Sequence, residues 1–467
     1  MNINQLVEDN SRDGSAVRIK SSTPKPNQVS LPQGHHVHQT TNDRTNTIAI
    51  QVPPPILPAS DRPMPSSSSA TPPTPSYIFR GHTSSIHALH FFRYNHFFAS
   101  GDSEGWVVIW RLTTRRPVAA WKAHDGGVMG IKDWEGTRLI THGRDHKLRI
   151  WQVRDTDLDW LSKVLPADAK DEDEARQPWL VHSMDVNALN FCAFAICEDS
   201  DRRTQPQAQP PPGEVANVEA TPNSKINPLL LAAPNGLDQG GVDVFHLPSE
   251  QRVSKLQSDN KANTGMVMAL RIFHKEINRL NIVIGYEDGS VAVCARKEQN
   301  VMPVWIWEKM MTARPHKQPV LSLDILTSGE GFITSSADAA IAKFAIPDAK
   351  IGAMQAEKAI NTKHAGQQDL KIRSDGRIFA TAGWDKNVRV YSAKTLKELA
   401  MLQWHQEGCY AVAFADVLLE TASQEEEALV TGNVMDRMKQ ERDTKVRSTH
   451  WIVAGSKDGK ISLWDVY

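Results

Sequence analysis

Seven stretches of this chain share one pattern of hydrophobic and polar positions. In each, a short apolar run is followed by a tight polar turn and a second short apolar run, as in FFASGDSEGWVVIW and IVAGSKDGKISLW. A polar turn residue precedes a large or apolar residue by six positions; the pairs are Glu104–Trp110, Asp145–Trp151, Gln239–Phe245, Asp288–Cys294, Asp338–Phe344, Asp385–Tyr391 and Asp458–Trp464. Short runs joined by turns rich in Gly, Asp and Asn predict β-hairpins.

A histidine marks the start of most copies. It precedes a further apolar run, and in four copies it lies 27 or 28 residues before the closing aromatic residue; these pairs are His82–Trp110, His124–Trp151, His316–Phe344 and His364–Tyr391. In the last copy, a polar segment lengthens the distance from His405 to Trp464 to 59 residues. Copies three and four keep the apolar run but lack the histidine. Returning units of short strands at this spacing predict a repeat fold.

The fold predicted by this spacing is all-β: a seven-bladed β-propeller in which each repeat forms a four-stranded blade around a central channel. The last repeat supplies only three strands before Tyr467, whereas the run SYIFR precedes the first repeat without a blade of its own. We expect Tyr77, Ile78 and Phe79 to pair with the last strand as the outer strand of blade 7, which would close the ring.

The repeats resemble the WD-repeat family in their Gly-His start, their Ser/Gly-x-Asp turn and their closing Trp. In that family the turn Asp, the His, a Ser or Thr and the Trp form a hydrogen-bonded cluster, because a buried carboxylate and imidazole each need a partner. Only the last blade appears complete, and blades 2 and 6 carry Gly143 and Gly383 in place of Ser. The resemblance implies a structural cluster at His405, Ser456, Asp458, Trp464, His82, Trp110, His124, Asp145 and Trp151.

The chain divides into two kinds of sequence. Residues 1–75 are rich in Pro and Ser and predict a disordered tail, because such a segment buries too little apolar surface to offset its ordering entropy. Residues 76–467 carry the repeats and predict the propeller. Three polar insertions, near 154–178, 198–226 and 420–448, are expected to be solvated, flexible loops.

Composition, hydropathy and targeting signals limit the class of protein to which this chain can belong. Lys and Arg number 53 against 54 Asp and Glu, which gives no electrostatic reason to expect nucleic acid as a partner. No apolar run is long enough for a membrane helix, and the N-terminus lacks the pattern of a signal peptide. The four cysteines lie in or beside apolar runs, as buried thiols do. The sequence therefore favours a soluble protein of the cytosol or nucleus.

Catalytic and cofactor motifs are lacking in the sequence. It has no phosphate-binding loop, no Gly-x-Ser-x-Gly, no His-Glu-x-x-His and no kinase signature. The acidic turn residues recur at one position of the repeat, which favours turn building over catalysis. The histidines His35, His36 and His38 form a small group in the tail without a second shell of ligand-orienting residues. We expect a protein-binding platform that is not an enzyme and holds no metal or cofactor.

Longer stretches resemble the fungal ASTRA-associated protein 1 family. They include YIFRGHTSSIHALHFF, VNALNFCAF, IGYEDGSVAV, HKQPVLSLDI and DGRIFATAGWDKNVRVYSAKTLKELAML. The resemblance implies a non-catalytic subunit of the ASTRA complex, involved in chromatin remodelling and in maturation of phosphatidylinositol-3-kinase-like kinases. Implied partners are the Tel/Tti cochaperones, RuvB-like ATPases and such a kinase. It also implies a nuclear location with a cytoplasmic pool.

Other functions fit a seven-bladed propeller. A G-protein β-like signalling subunit is one, although its usual N-terminal coiled coil is not matched by the proline-rich first 75 residues, which have no heptad pattern. An adaptor that reads histone tails at the channel mouth is another. A hydrolase with channel carboxylates would need acids outside the repeat positions.

Overall fold

The protein is described by a computed structural model, and the residues that it describes are 73–170, 176–189, 191–199, 226–259, 263–276, 279–297, 305–418 and 434–466. They form seven β-sheets, antiparallel except for one short parallel pair, together with one helix of fifteen residues and one short 3-10 helix. The tail predicted to be disordered lies almost wholly outside the described residues, as does most of the 198–226 insertion.

The first strand, β1 (Tyr77–Phe79), precedes the first complete blade. The strands of blades 1 to 3 follow in chain order: β2 (Ile86–Phe92), β3 (Phe97–Asp102), β4 (Trp106–Arg111) and β5 (Arg116–Lys122); β6 (Val128–Trp134), β7 (Arg138–Gly143), β8 (Lys147–Gln152) and β9 (Trp179–Asp185); β10 (Ala195–Glu198), β11 (Leu229–Pro234), β12 (Val242–Leu247) and β13 (Gln251–Leu256).

Blades 4 to 7 complete the ring. Their strands are β14 (Val267–Glu276), β15 (Arg279–Tyr286), β16 (Val291–Arg296) and β17 (Trp307–Ala313); β18 (Val320–Ile325), β19 (Gly331–Ser336), β20 (Ala340–Ala345), β21 (Gly352–Ala353) and β22 (Lys358–Asn361); β23 (Gln367–Ile372), β24 (Ile378–Gly383), β25 (Asn387–Ser392) and β26 (Glu398–Gln403); β27 (Cys409–Phe414), β28 (Trp451–Ser456) and β29 (Ile461–Asp465). Strand β21 leaves blade 5 and pairs in parallel with β17 of blade 4. The predicted seven-bladed propeller is confirmed.

Ring closure uses the strand that the sequence predicted. Strand β1 pairs antiparallel with β29, so that Tyr77 lies opposite Leu463 and Phe79 opposite Ile461. Phe79 is 1% exposed, and its ring centroid lies 4.9 Å from that of Phe98 in blade 1. The closing strand therefore joins blade 7 by hydrogen bonds and blade 1 by aromatic packing.

Neighbouring blades pack closely where a glycine on one blade faces a branched side chain on the next. A Cβ added at Gly101 of blade 1 would lie 2.6 Å from Val128 of blade 2. The same geometry recurs between blades 7 and 1, where Gly455 faces Ile86. Because Val and Ile are stiff at χ1, these sites have no room for a larger residue.

Part of the insertion at 154–178 packs against the blades, whereas its charged residues predicted a solvated loop. After a 3-10 helix at Asp155–Asp157, Leu158 and Leu161 are buried in the cluster between blades 1 and 2. The carbonyl of Ser162 accepts a hydrogen bond from the Ala120 amide at 2.7 Å, which occupies the outer edge of β5. Exposed strand edges invite unwanted pairing, so residues 158–162 cover one.

The insertion at 420–448 also differs from the predicted loop. Residues Val434–Ser448 form the helix α1, and Val446 packs against the cluster shared by blades 1 and 7. The Asn95 amide donates to the Arg447 carbonyl at 3.0 Å. The sequence did not predict this helix because Val446, in its last turn, is the apolar residue that packs against the blades, so no apolar stripe runs along it. Met435 and Met438, at its other end, are exposed.

Candidate functional site

The blade 1 cluster is a chain of four side chains. The Trp110 indole donates to Ser100 Oγ at 2.8 Å, Ser100 Oγ lies 2.8 Å from His82 Nε2, and His82 Nδ1 lies 2.7 Å from Asp102 Oδ2. The carboxylate accepts from His82 Nδ1, and Ser100 Oγ also donates to the Val108 carbonyl at 3.4 Å. Asp102 holds the histidine, whereas the turn acid Glu104 is exposed.

Blade 2 repeats this chain with threonine in place of serine. His124 lies 2.9 Å from Asp145 and 2.7 Å from Thr141, and the Trp151 indole donates to Thr141 Oγ1 at 2.9 Å. Arg149 Nη1 also pairs with Asp145, at 2.6 Å. Burial alone would raise the pKa of Asp145, but the hydrogen bonds from His124 and Arg149 hold it well below its usual range.

In blade 7 the hydroxyl that joins histidine to tryptophan belongs to Ser462, not to Ser456 as the motif suggested. Ser462 Oγ lies 2.8 Å from His405 Nε2 and accepts from the Trp464 indole at 2.8 Å. Alanine stands at position 454, where blade 1 has Ser100, and Ala454 pairs across the ladder with Ser462. The hydroxyl has thus moved to the facing position of the neighbouring strand. His405 Nδ1 is 3.5 Å from Asp458.

Ser456 instead donates to the carbonyl of Glu407 at 3.1 Å, at the end of its strand. The same correction applies to blades 2 and 6, where Thr141 and Thr381, rather than Gly143 and Gly383, mark the hydroxyl position. In blades 2 and 6 the threonine lies two residues earlier in the strand than the position that the motif suggested. Residues two apart in a strand share a face, so alternation alone did not separate them.

Blades 5 and 6 are altered versions of the cluster. In blade 5, His316 lies 2.9 Å from Thr334 and 3.2 Å from Asp338, and Phe344 stacks on Phe332 where the tryptophan would be. In blade 6, His364 is exposed. There, the buried Arg389 binds Asp385 through both terminal nitrogens, and Thr381 donates to the Gln367 side chain at 2.6 Å. A hydrogen-bonded loop anchor is kept although its residues change.

These clusters anchor the loops of the blades. In blades 1 and 2, hydrogen bonds within the blade engage both ring nitrogens of the histidine and the carboxylate beside it. The buried sites therefore have no ring nitrogen left for proton transfer to an outside molecule. Their geometry is that of a rigid frame.

A different set of side chains lines the central channel. The inner strands enclose a cavity of about 250 Å³. At the level of its mouth, the His87 and Tyr410 rings stack with centroids 5.3 Å apart, and the Arg144 guanidinium lies 4.4 Å from the Phe191 ring centroid. The charged members of the lining are Lys132, Arg144, Arg271, Asp369 and Lys371. The sequence motifs gave no signal for these charged residues, because they come from three separate blades.

A second, larger groove of about 1510 Å³ lies between α1 and the strand ends of blades 1 and 2. One wall carries Tyr94 and Arg93, and the other carries Lys439 and Asp443 of the helix. Asp443 pairs with His96 at 3.4 Å across the groove. Asp133 lies at its inner side, where burial raises its pKa to about 6 against the opposing hydrogen bond from the Gly136 amide.

Among the residues that the structure describes, no group of three or more His, Cys, Asp and Glu side chains is placed to hold a metal ion. No helix in the same residues is long and apolar enough to cross a membrane. The tail histidines His35, His36 and His38 lie outside the described residues.

Comparison with known proteins gives both a repeat family and full-length relatives. The family model described as WD domain, G-beta repeat matches residues 73–111, 358–392 and 438–465. The chain is 44% identical over 428 residues to ASTRA-associated protein 1 of Aspergillus flavus, which covers 85% of this chain and 98% of the relative. The protein of that name from Aspergillus niger is 45% identical over 437 residues, with the same coverage. The one from Schizosaccharomyces pombe is 30% identical over 427 residues and is covered to 99%.

Proposed function

The chain belongs to the ASTRA-associated protein 1 family, and on that premise we propose that it is a non-catalytic scaffold subunit of an ASTRA assembly. The observation that carries the proposal is the 44% identity along 98% of the Aspergillus flavus relative, which spans the propeller and its insertions together. The closed, hydrogen-bonded ring supports it, because such a frame presents loops at fixed positions to partner chains.

We propose further that the assembly acts in chromatin remodelling and in maturation of phosphatidylinositol-3-kinase-like kinases. Its partners would be the Tel/Tti cochaperones, the RuvB-like ATPases and the kinase itself. The place of action would be the nucleus, with a cytoplasmic pool. These finer statements follow from the family and are tested by the same purification.

The test is affinity purification of the tagged, full-length chain from its native cell, followed by mass spectrometry of the recovered proteins. We expect ASTRA, Tel/Tti and kinase components above an untagged control. Recovery of a γ-like subunit in their place would indicate a G-protein β-like role. Recovery of neither would refute the scaffold proposal for this chain.

One exposed aromatic residue offers a sharper version of the test. Trp179 is 74% exposed on the outer strand of blade 2, and large exposed aromatic residues are frequent hot spots of interfaces. We expect Trp179→Ala to lower partner recovery without changing the unfolding midpoint. Leu399→Ala, at an exposed position on the outer strand of blade 6, is the matched control. Equal recovery with both variants would place the interface elsewhere.

The histone-tail alternative fits the channel less well. Arg144 stands at the mouth, and Lys132, Arg271 and Lys371 lie deeper. A basic tail would meet charges of its own sign, and like-charge juxtaposition at an interface costs several kcal/mol. We therefore propose that partners bind the outer loops and rim of the propeller.

A further inference from the structure

The middle of the central channel gathers three cations from three blades. Lys132 comes from blade 2, Arg271 from blade 4 and Lys371 from blade 6, and all three line the same cavity. Asp324 links two of them, because it pairs with Arg271 and accepts the amide of Ile372, the residue after Lys371. Cations gathered in one narrow space repel each other unless negative charge compensates them.

Two carboxylates supply part of that compensation. Arg271 Nε donates to Asp324 Oδ1 at 3.1 Å, and Lys371 Nζ pairs with Asp369 Oδ1. The second oxygen of each carboxylate accepts a backbone amide of the next blade: Ile372 at 2.9 Å for Asp324, and Val412 at 3.1 Å for Asp369. Both carboxylates are therefore held in place by neighbouring blades.

Lys132 is the third cation, and neither of these two carboxylates pairs with it. Within the described part of the chain, no carboxylate lies in ion-pair distance of its ammonium. Burial, Arg271 and Lys371 lower its pKa to about 7, although Asp324 and Asp369 act in the opposite direction. Lys132 is half-buried, and a charge partly withdrawn from water without a partner is costly. An anion in the cavity would relieve that cost and the mutual repulsion at once.

We propose that the channel binds a small oxyanion of the phosphate class, held by Lys132 together with Arg271 and Lys371. The cavity of about 250 Å³ has room for a tetrahedral oxyanion and its first waters, and guanidinium and ammonium groups are its usual partners in proteins. This site is independent of the scaffold function, because it lies inside the ring rather than on the surface that partners would meet.

The test measures anion binding by the purified full-length chain. Inorganic phosphate is titrated by calorimetry and by thermal unfolding, with chloride at equal ionic strength as the reference. A ligand that binds the folded state raises the unfolding midpoint, so we expect a saturable rise with phosphate. A midpoint that is the same in phosphate and in chloride would overturn the proposal.

Variants at one position assign the effect to the channel. Lys132→Met is expected to weaken phosphate binding at least tenfold, whereas Lys132→Arg keeps the charge and should retain it. Lys122→Met removes an exposed lysine at the end of β5 and serves as the matched control. Loss of binding in Lys122→Met, or full binding in Lys132→Met, would refute the site. Should Lys132→Met not fold, loss of binding in Lys132→Gln with retention in Lys132→Arg gives the same decision.

Sulfate separates the titration of the lysine from that of the ligand, because sulfate keeps its charge between pH 6 and 8.5. The groups that face Lys132 are Arg271, Lys371, Asp324, Asp369 and His90. Burial lowers the pKa of His90 to about 3, so that imidazole is neutral across the range. With the pKa of Lys132 near 7, sulfate should bind about tenfold more weakly at pH 8.5 than at pH 6. The same change in Lys132→Arg would contradict the assignment.

A short phosphoserine peptide distinguishes two sources of the same chemistry. If it competes with inorganic phosphate, the oxyanion can arrive on a polypeptide. If it does not compete, the site takes the free ion. In either case the variants at position 132 decide whether the site exists.

Discussion

A single hydroxyl joins histidine to tryptophan in each complete cluster, so its removal should cost more than one hydrogen bond. In blade 1, Ser100 is fully buried and serves both His82 and Trp110. Leaving buried polar groups unpaired costs about 1–3 kcal/mol, and we expect Ser100→Ala to lower the free energy of unfolding by about that amount. Urea denaturation measures it. Ser103→Ala removes the hydroxyl of an exposed serine directly after the end of β3 and should change little; equal losses would contradict this role.

The carboxylates of the clusters predict how stability depends on acid. Burial alone would raise the pKa of Asp458, but His405 and the Lys460 amide lower it to about 2 from 3.8. A depressed pKa adds stability above pH 4 that is lost as the pH falls toward 2. We therefore expect Asp458→Asn to be less stable than the parent at pH 6, with the difference shrinking by pH 3. Asp465→Asn, an exposed carboxylate at the end of β29, is the control, and a constant difference for Asp458→Asn would refute the linkage.

The sequence predicted the histidines and tryptophans of the clusters but not the residues that supply the hydroxyl. The distances from histidine to aromatic residue identified His82, His124 and His405 and their tryptophans, because the hairpin fixes both ends of the repeat. It did not identify the hydroxyls. Ser100 and Asp102 lie on one face of β3 and both contact the His82 imidazole, so alternation along the strand does not show which position carries the hydroxyl. Ser462 was missed for another reason. It lies on the neighbouring strand and supplies the hydroxyl that Ala454, at the position of Ser100, does not have.

At the scale of strands, the contact between glycine and a branched residue sets how closely blades approach. A methyl group at Gly101 would meet Val128 of the next blade, and overpacking of this kind costs about 1–3 kcal/mol. We expect Gly101→Ala to lower the thermal unfolding midpoint clearly. Gly236→Ala, whose added methyl would lie 3.7 Å from Asn187, is the control. Comparable midpoints for the two variants would show that the blades can separate without cost.

The elements that the sequence missed share a physical cause. The repeat predicts strands because every copy buries the same face, whereas each insertion docks through a few residues only. Leu158 and Leu161 are buried among acidic neighbours, and α1 docks near Val446. An average over such a segment indicates a polar loop, and only the neighbouring blades decide which residues are buried.

At the scale of the whole molecule, the ring depends on β1. Deleting residues 76–80 removes a paired strand and the buried Phe79, and exposes the edge of β29. We expect this variant to lose cooperative thermal unfolding and to aggregate. Deleting residues 1–70 should leave the unfolding midpoint within a few degrees of the parent, because the removed sequence is Pro- and Ser-rich and lies outside the repeats. Circular dichroism and light scattering measure both. Unfolding of the second variant would refute the domain boundary.

Strand β1 also determines the order in which the propeller can assemble while the chain is being synthesised. Phe79 pairs with Ile461, 382 positions later in the chain, so the closing strand leaves the ribosome long before its partner is made. Six blades can form by local pairing during that interval, while the backbone amides and carbonyls of β1 have no strand to pair with. Contacts this distant in sequence are slow to form, and exposed edges are prone to wrong pairing. A nascent chain of this design therefore has its greatest need of chaperones just before its last blade appears.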